Sequence, residues 1–151
     1  MSLVDIGLMS LAGLPWTFKF LWAPLVDVYG KRKQWIAICQ ALIAVDLCLF
    51  LVLEPAQTGV LLWALLVALA VFSATQDIAI DAYTIELLDE VEMGPANGIR
   101  VSAYRVALIA SGGVFIAIAG LIGWKAAFAS AAVLLGLSAL LSSRAPETFF
   151  P

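Results

Sequence analysis

Residues 60–88 read VLLWALLVALAVFSATQDIAIDAYTIELL, and this stretch decides the fold. From Val60 to Phe72 the run is apolar without a break; from Ser73 onward it turns polar. A bilayer core about 30 Å thick takes roughly 20 apolar residues per helical span. A chain in lipid must satisfy its own backbone hydrogen bonds, which selects the helix. At about 100° per residue, Ser73, Asp77, Asp81 and Thr84 share one stripe about 80° wide. A helix surrounded by lipid would not carry that stripe, so it is expected to face other helices or a water-filled cavity.

On either side of this stretch the pattern repeats, and the polar breaks mark four more apolar segments: 3–28, 35–53, 97–122 and 124–143. The first is interrupted by Gly13, Pro15, Lys19 and Pro24. The 151 residues are 64% hydrophobic and only 13% charged, against about 25% charged in ordinary soluble domains. Mean hydropathy is +1.05. The expected fold class is therefore an all-α membrane protein, a polytopic bundle of about five helices forming a single transmembrane domain. No basic surface suggests nucleic acid, and the N-terminus lacks the basic start of a signal peptide. There is no His, which excludes His-based catalysis and His metal sites. Cys39 and Cys48, on one straight helix, are too far apart to bridge and read as small buried apolar residues. No cofactor or metal is expected. A membrane-embedded enzyme would need a nucleophile or base at the interface, and none is visible.

Lys31, Arg32 and Lys33 form the only dense basic loop, which places the first connection in the cytoplasm. Alternation then puts 54–59 outside, 89–96 inside and Arg144 inside. Met1 falls outside, an awkward start that suggests a missing preceding helix. Trp35, Trp63 and Trp124 sit near segment ends and read as interface anchors.

The ionisable residues within the apolar segments are Lys19, Asp46, Asp77, Asp81 and Arg105. Each costs roughly 2.5–3.5 kcal/mol at mid-bilayer on insertion scales. Asp77 and Asp81 form either a structural seam pairing with Arg105 or Lys19, or a transport path and proton-coupling site. Arg105 is either their partner or an anion-binding group. Lys19 suits an interior partner or a substrate contact; Asp46, among apolar neighbours, is a weaker candidate. Trp16 and Trp22 flank Lys19 and read as packing residues. Ala103, Ala107 and Ser111 make a small-residue row for close helix contact.

Asp27-Val-Tyr-Gly30-Lys31-Arg32-Lys33 resembles the loop between helices 2 and 3 of the major facilitator superfamily. The flanks FKFLWAPLVD (18–27) and SATQDIAIDA (73–82), with Tyr104-Arg105 and Ser111-Gly-Gly113, resemble AmpG-like muropeptide permeases. Acetyl-coenzyme A transporters share some of these elements and are a near relative, the competing resemblance. The resemblance implies part of a twelve-helix carrier: helices 2 to 6 of the N-terminal half, with helix 1 and the C-terminal half of the same transporter as missing partners. It implies alternating access and proton-coupled uptake of anhydro-muropeptides, or a related solute, across the inner membrane. The alternatives are an acyl-coenzyme A type transporter, or an orphan half that only binds or dimerises. In that frame Asp27, Gly30, Lys31, Arg32 and Lys33 form a cytoplasmic gate lock. Asp77 and Asp81 form the coupling seam. Lys19 and Arg105 meet substrate carboxylates or balance charge, and Gln76 and Tyr104 could hydrogen-bond a sugar. Val28 stands where a basic residue usually follows the loop aspartate, and the longer insert common before the basic cluster is missing.

Overall fold

The computed structural model describes residues 13–52 and 59–147. The beginning of the first apolar segment and the Glu54-Pro55 break lie outside the described residues. Every regular element among the described residues is helical. In chain order they are α1 (Leu14–Phe18), a 3-10 turn (Lys19–Leu21), α2 (Ala23–Val28), α3 (Arg32–Val52), α4 (Val60–Leu87), α5 (Glu90–Ile109), a π-helical turn (Ala110–Val114), α6 (Phe115–Ile122) and α7 (Trp124–Ser143). Among the described residues four helices are long and apolar enough to cross a membrane: α3, α4, the continuous α5–π–α6 rod, and α7.

The described part of the first segment is not one straight helix. Pro15 and Pro24 each stand in the first turn of a short helix, where a missing N–H costs nothing and the fixed φ suits the helix. Between them the backbone tightens into the 3-10 turn that holds Lys19. This break sets the position of two side chains important below, Lys19 and Trp22.

Helix α4 has 28 residues, about 42 Å at 1.5 Å per residue, so it crosses the apolar core and projects beyond it at Glu86. Helix α3 lies against α7 along most of its length and against α4 on another side. Cys39, Ile43 and Asp46 recur at helical spacing in its buried stripe. Phe128 of α7 stacks on Phe50 of α3 at 5.7 Å and meets Phe115 of α6 edge-on at 6.0 Å, tying three helices at one end. At the other end Val26, Ile36, Ile78 and Ala79 form a buried cluster, with Trp22, Trp35 and Tyr83 packed around it. Small residues such as Ala74, Ala79 and Ala127 are fully buried. Without a hydrophobic drive in lipid, close backbone approach supplies the packing.

Three expectations change. The fourth helix starts at Glu90 rather than Asn97, because extended Asp89 ends the connection and Glu90 and Glu92 complement the positive end of the new helix. Cys48 is exposed while Cys39 is buried, since nine positions along one helix rotate the two side chains onto different faces. The Ala103, Ala107, Ser111 row is exposed rather than packed. The same rod loosens into a π turn at Ala110–Val114, where Gly112 and Gly113 put no side chain in the way of the wider coil.

Candidate functional site: a charged seam and a basic clasp

The polar stripe on α4 lies half-open, turned away from the fully buried Ala79 of the same helix. Lys19 Nζ comes within 3.9 Å of Asp77 Oδ2, with the two side chains 35% and 47% exposed. The 3-10 turn brings the lysine there. Trp22, at the end of that turn, donates from Nε1 to Thr75 Oγ1 at 3.2 Å. Thr75 in turn donates to the Val71 carbonyl at 2.7 Å. The broken first segment is thus fastened to α4 two residues before Asp77.

Asp81 pairs with Arg100 of α5. This separates two possibilities the sequence left open. The aspartates do not share one cation: Asp77 takes Lys19, and Asp81 takes Arg100. Arg105 meets neither. It is exposed on α5, as is Tyr104, and Arg105 lies about 140° around the helix from Arg100 at 100° per residue. Gln76 is half-buried beside Asp77. On α3, Asp46 and Gln40 are buried, and Asp46 Oδ2 and Gln40 Oε1 have no hydrogen-bond partner among the described residues.

A second cluster closes the opposite end from the aromatic contacts. Gly30 has φ +79°, a left-handed conformation that only glycine adopts without strain. That turn folds Arg32 back onto the end of α2. There its guanidinium meets Asp27 Oδ1 at 3.3 Å, donates to the Val26 carbonyl and bonds Glu86 Oε1 at 3.0 Å. One arginine thereby holds α2, α3 and α4 together. Lys31 and Lys33 reach further. Both bind Glu147, at 2.8 and 3.1 Å, and Lys33 donates to the Ala145 carbonyl at 3.3 Å. Tyr83 of α4 donates to the Pro146 carbonyl at 2.9 Å. Hydrogen bonds from Lys31 and then Lys33 hold the Glu147 carboxyl below its ordinary range. The basic loop and the segment after α7 therefore meet at one end of the bundle, as the alternation of spans requires.

Sequence reasoning missed Glu86, Glu147, Tyr83 and Arg100. Glu86 follows the polar stripe directly, and Glu147 follows the Arg144 stop, so each looked like a residue at a helix end. Only the antiparallel packing of α3 against α4 and α7 turns those ends into partners of the basic loop.

A family model described as Major Facilitator Superfamily matches residues 1–148. The chain is 36% identical to the anhydromuropeptide permease of Escherichia coli (strain K12), over 97% of this chain and 31% of that protein. It is 35% identical to an uncharacterized protein of Haemophilus influenzae, over 85% of this chain and 31% of the relative. A putative transporter of Rickettsia felis, AmpG 4, is 27% identical over 91% of this chain and 36% of its own length. The chain therefore spans between 31% and 36% of the length of these relatives.

Proposed function

Because this chain belongs to the major facilitator superfamily, we propose that it forms part of a proton-coupled secondary transporter that takes up anhydromuropeptides or a related solute across the inner membrane. It is a multi-pass membrane protein of a transporter family, and we read its role as that of a carrier, not a catalyst. In this reading a preceding helix and a C-terminal half complete the two-sided path.

The observation that carries the reading is the pair of half-open ion pairs on α4, Lys19–Asp77 and Asp81–Arg100. Ionisable groups at membrane depth are costly, and where they occur they line a bundle interior or a solute path. Here both acids lie along one stripe of α4, each met by a cation from a neighbouring element, and all four side chains remain partly exposed. The basic clasp acts as a gate: Arg32, held by Asp27 and Glu86, stabilises one arrangement of α2, α3 and α4 and must loosen for the other. Gln76 serves as a hydrogen-bonding neighbour of the seam. Tyr104 and Arg105, exposed on α5, are placed to meet the solute or the second half.

The test is uptake by the full-length carrier containing this segment. Asp77→Asn and Asp81→Asn should each abolish proton-driven uptake while the protein still reaches the membrane. Unchanged, proton-dependent uptake in both variants removes the coupling role. Similarity to a permease named for anhydromuropeptides makes a labelled anhydromuropeptide the first solute to try.

A further inference from the structure

One carboxyl lies inside the bundle and takes no part in the seam or the clasp. Asp46 stands in the buried stripe of α3, about 21 Å along the axis from Arg32 and about 9 Å from Val52 at 1.5 Å per residue. It is 3% exposed, and its Oδ2 has no hydrogen-bond partner among the described residues. Val45 and Leu49 beside it are exposed. The aspartate is therefore turned inward on a helix that gives its apolar side chains to lipid.

Two helices cover α3, namely α7 and α4. The antiparallel register of α3 on α7 is fixed at both ends: Phe50 stacks on Phe128, and Lys33 donates to the Ala145 carbonyl. That register sets Asp46 level with Ala132, itself buried. The sole ionisable residue of α7 is Lys125. It stands about 10 Å further along the axis, beyond the Phe128 ring. On α4, the Arg32–Glu86 bond sets Asp46 level with Phe72, in the apolar run. The nearest ionisable residue there is Asp77, engaged by Lys19. On α3 itself, Arg32 and Lys33 lie about 20 Å away and are already paired, and the Cys39 thiol is about two turns back. Helix α6, which meets the aromatic end through Phe115, has no ionisable residue. No described cation faces the Asp46 carboxyl.

A helix interior treats the two forms of this acid differently. The backbone N–H groups around Asp46 are used within the helix, so an ionised carboxylate, which can only accept, finds no donor. The neutral acid brings a donor of its own, and a helix carbonyl keeps a second lone pair to receive it. Thr75 of α4 uses the carbonyl four residues back in this way, at 2.7 Å from Val71. The equivalent acceptor for Asp46 is the Leu42 carbonyl. A carboxylate without a partner in an apolar setting is strongly disfavoured, and such a group neutralises instead. We propose that Asp46 is a proton-binding site created by the closure of α3 on α7: the closed pair holds the neutral acid at neutral pH, and the proton leaves to water only when the helices part. The O–H bond is the one bond made or broken, and water supplies and receives the proton. The site is separate from the Asp77–Asp81 seam and goes beyond the carrier reading, since it links proton binding to helix packing and needs no solute.

The experiment uses this chain in lipid nanodiscs, with Asp46→Asn as the variant, because an amide matches the neutral acid in shape and keeps a donor. The infrared difference between parent and variant at neutral pH should show one carbonyl band of a neutral carboxylic acid, shifted by deuteration. Reversible unfolding in mixed micelles gives the second reading. The unfolded chain ionises this acid above the ordinary aspartate range, while the folded chain keeps the proton. The unfolded state then binds fewer protons, so stability falls as pH rises. The folding constant of the parent relative to Asp46→Asn should drop about tenfold per pH unit between about pH 5 and 7. Three results each overturn the proposal: no neutral-acid band in the difference spectrum, a ratio of folding constants that ignores pH, or an Asp46→Asn chain that fails to reach the parent's helix content by circular dichroism. None of these readings involves uptake, so the carrier reading stands or falls on its own test.

Discussion

Replacing Lys19 by Met and Asp77 by Asn, singly and together, asks whether the contact between the broken first segment and α4 is an ion pair in energy as well as in geometry. The two groups are 3.9 Å apart, at the outer edge of a salt bridge, and 35% and 47% exposed. Coulomb's law gives about 4 kcal/mol for unit charges at that distance with an effective dielectric of 20. Fully exposed pairs couple by only about 0.2–1 kcal/mol, while breaking a buried pair costs about 3–5 kcal/mol. With both side chains partly open, the pair falls between those limits, and a coupling of about 1–2 kcal/mol is expected. Each single variant strands one charge in a membrane span; the double variant strands none and should be more stable than the sum of the singles requires. The assay is reversible unfolding in mixed detergent micelles, followed by far-UV circular dichroism, over the full double-mutant cycle. Single variants whose effects simply add, within about 0.3 kcal/mol, would show that the lysine and the aspartate do not interact, and the seam would lose its first pair.

Trp22→Phe keeps the ring in the buried cluster and deletes only the bond to Thr75; a loss of about 1 kcal/mol is expected in the same unfolding assay, and no change would mean that the bond is made equally well by solvent. Gly30→Ala must place a Cβ at φ +79°, costing about 1–2 kcal/mol; a variant as stable as the parent would show that the turn takes another form. The Glu147 clasp should depend on pH with a definite sign. Its carboxyl is held below the ordinary range by Lys31 and Lys33, so the tie is fully present above the unfolded glutamate value and is lost as pH falls through the lower, folded one. Spin labels at Gln34→Cys and Ser143→Cys, in a chain whose own cysteines are replaced (Cys39→Ala, Cys48→Ala), should report a constant distance down to that point and a longer one below it. Separation at or above the ordinary glutamate range would contradict the clasp.

Much of this protein was legible as sequence because the bilayer imposes a simple requirement. Runs such as residues 60–72 have no other stable home than a membrane helix, and the stripe through Asp77 and Asp81 follows from helical spacing alone. The loop around Gly30 was legible too, since an aspartate, a glycine and three basic residues leave few ways to turn. The pairing of the charges was not. Lys19 and Arg105 looked equally able to serve the aspartates by position in the chain. Which one does so depends on where the two prolines break the first segment and on how α5 is rotated about its axis, and neither quantity is written in hydropathy.

The sequence by itself determined that this chain crosses a membrane as helices and that charged residues lie at depth on one face of α4, because the cost of polar groups in lipid acts locally, residue by residue. Only the tertiary structure decided which cation meets which acid, that Arg100 rather than Arg105 pairs with Asp81, and that Glu86 and Glu147 complete the basic clasp. Those choices depend on distances between helices far apart in the chain, and such distances are set by packing and register, not by composition.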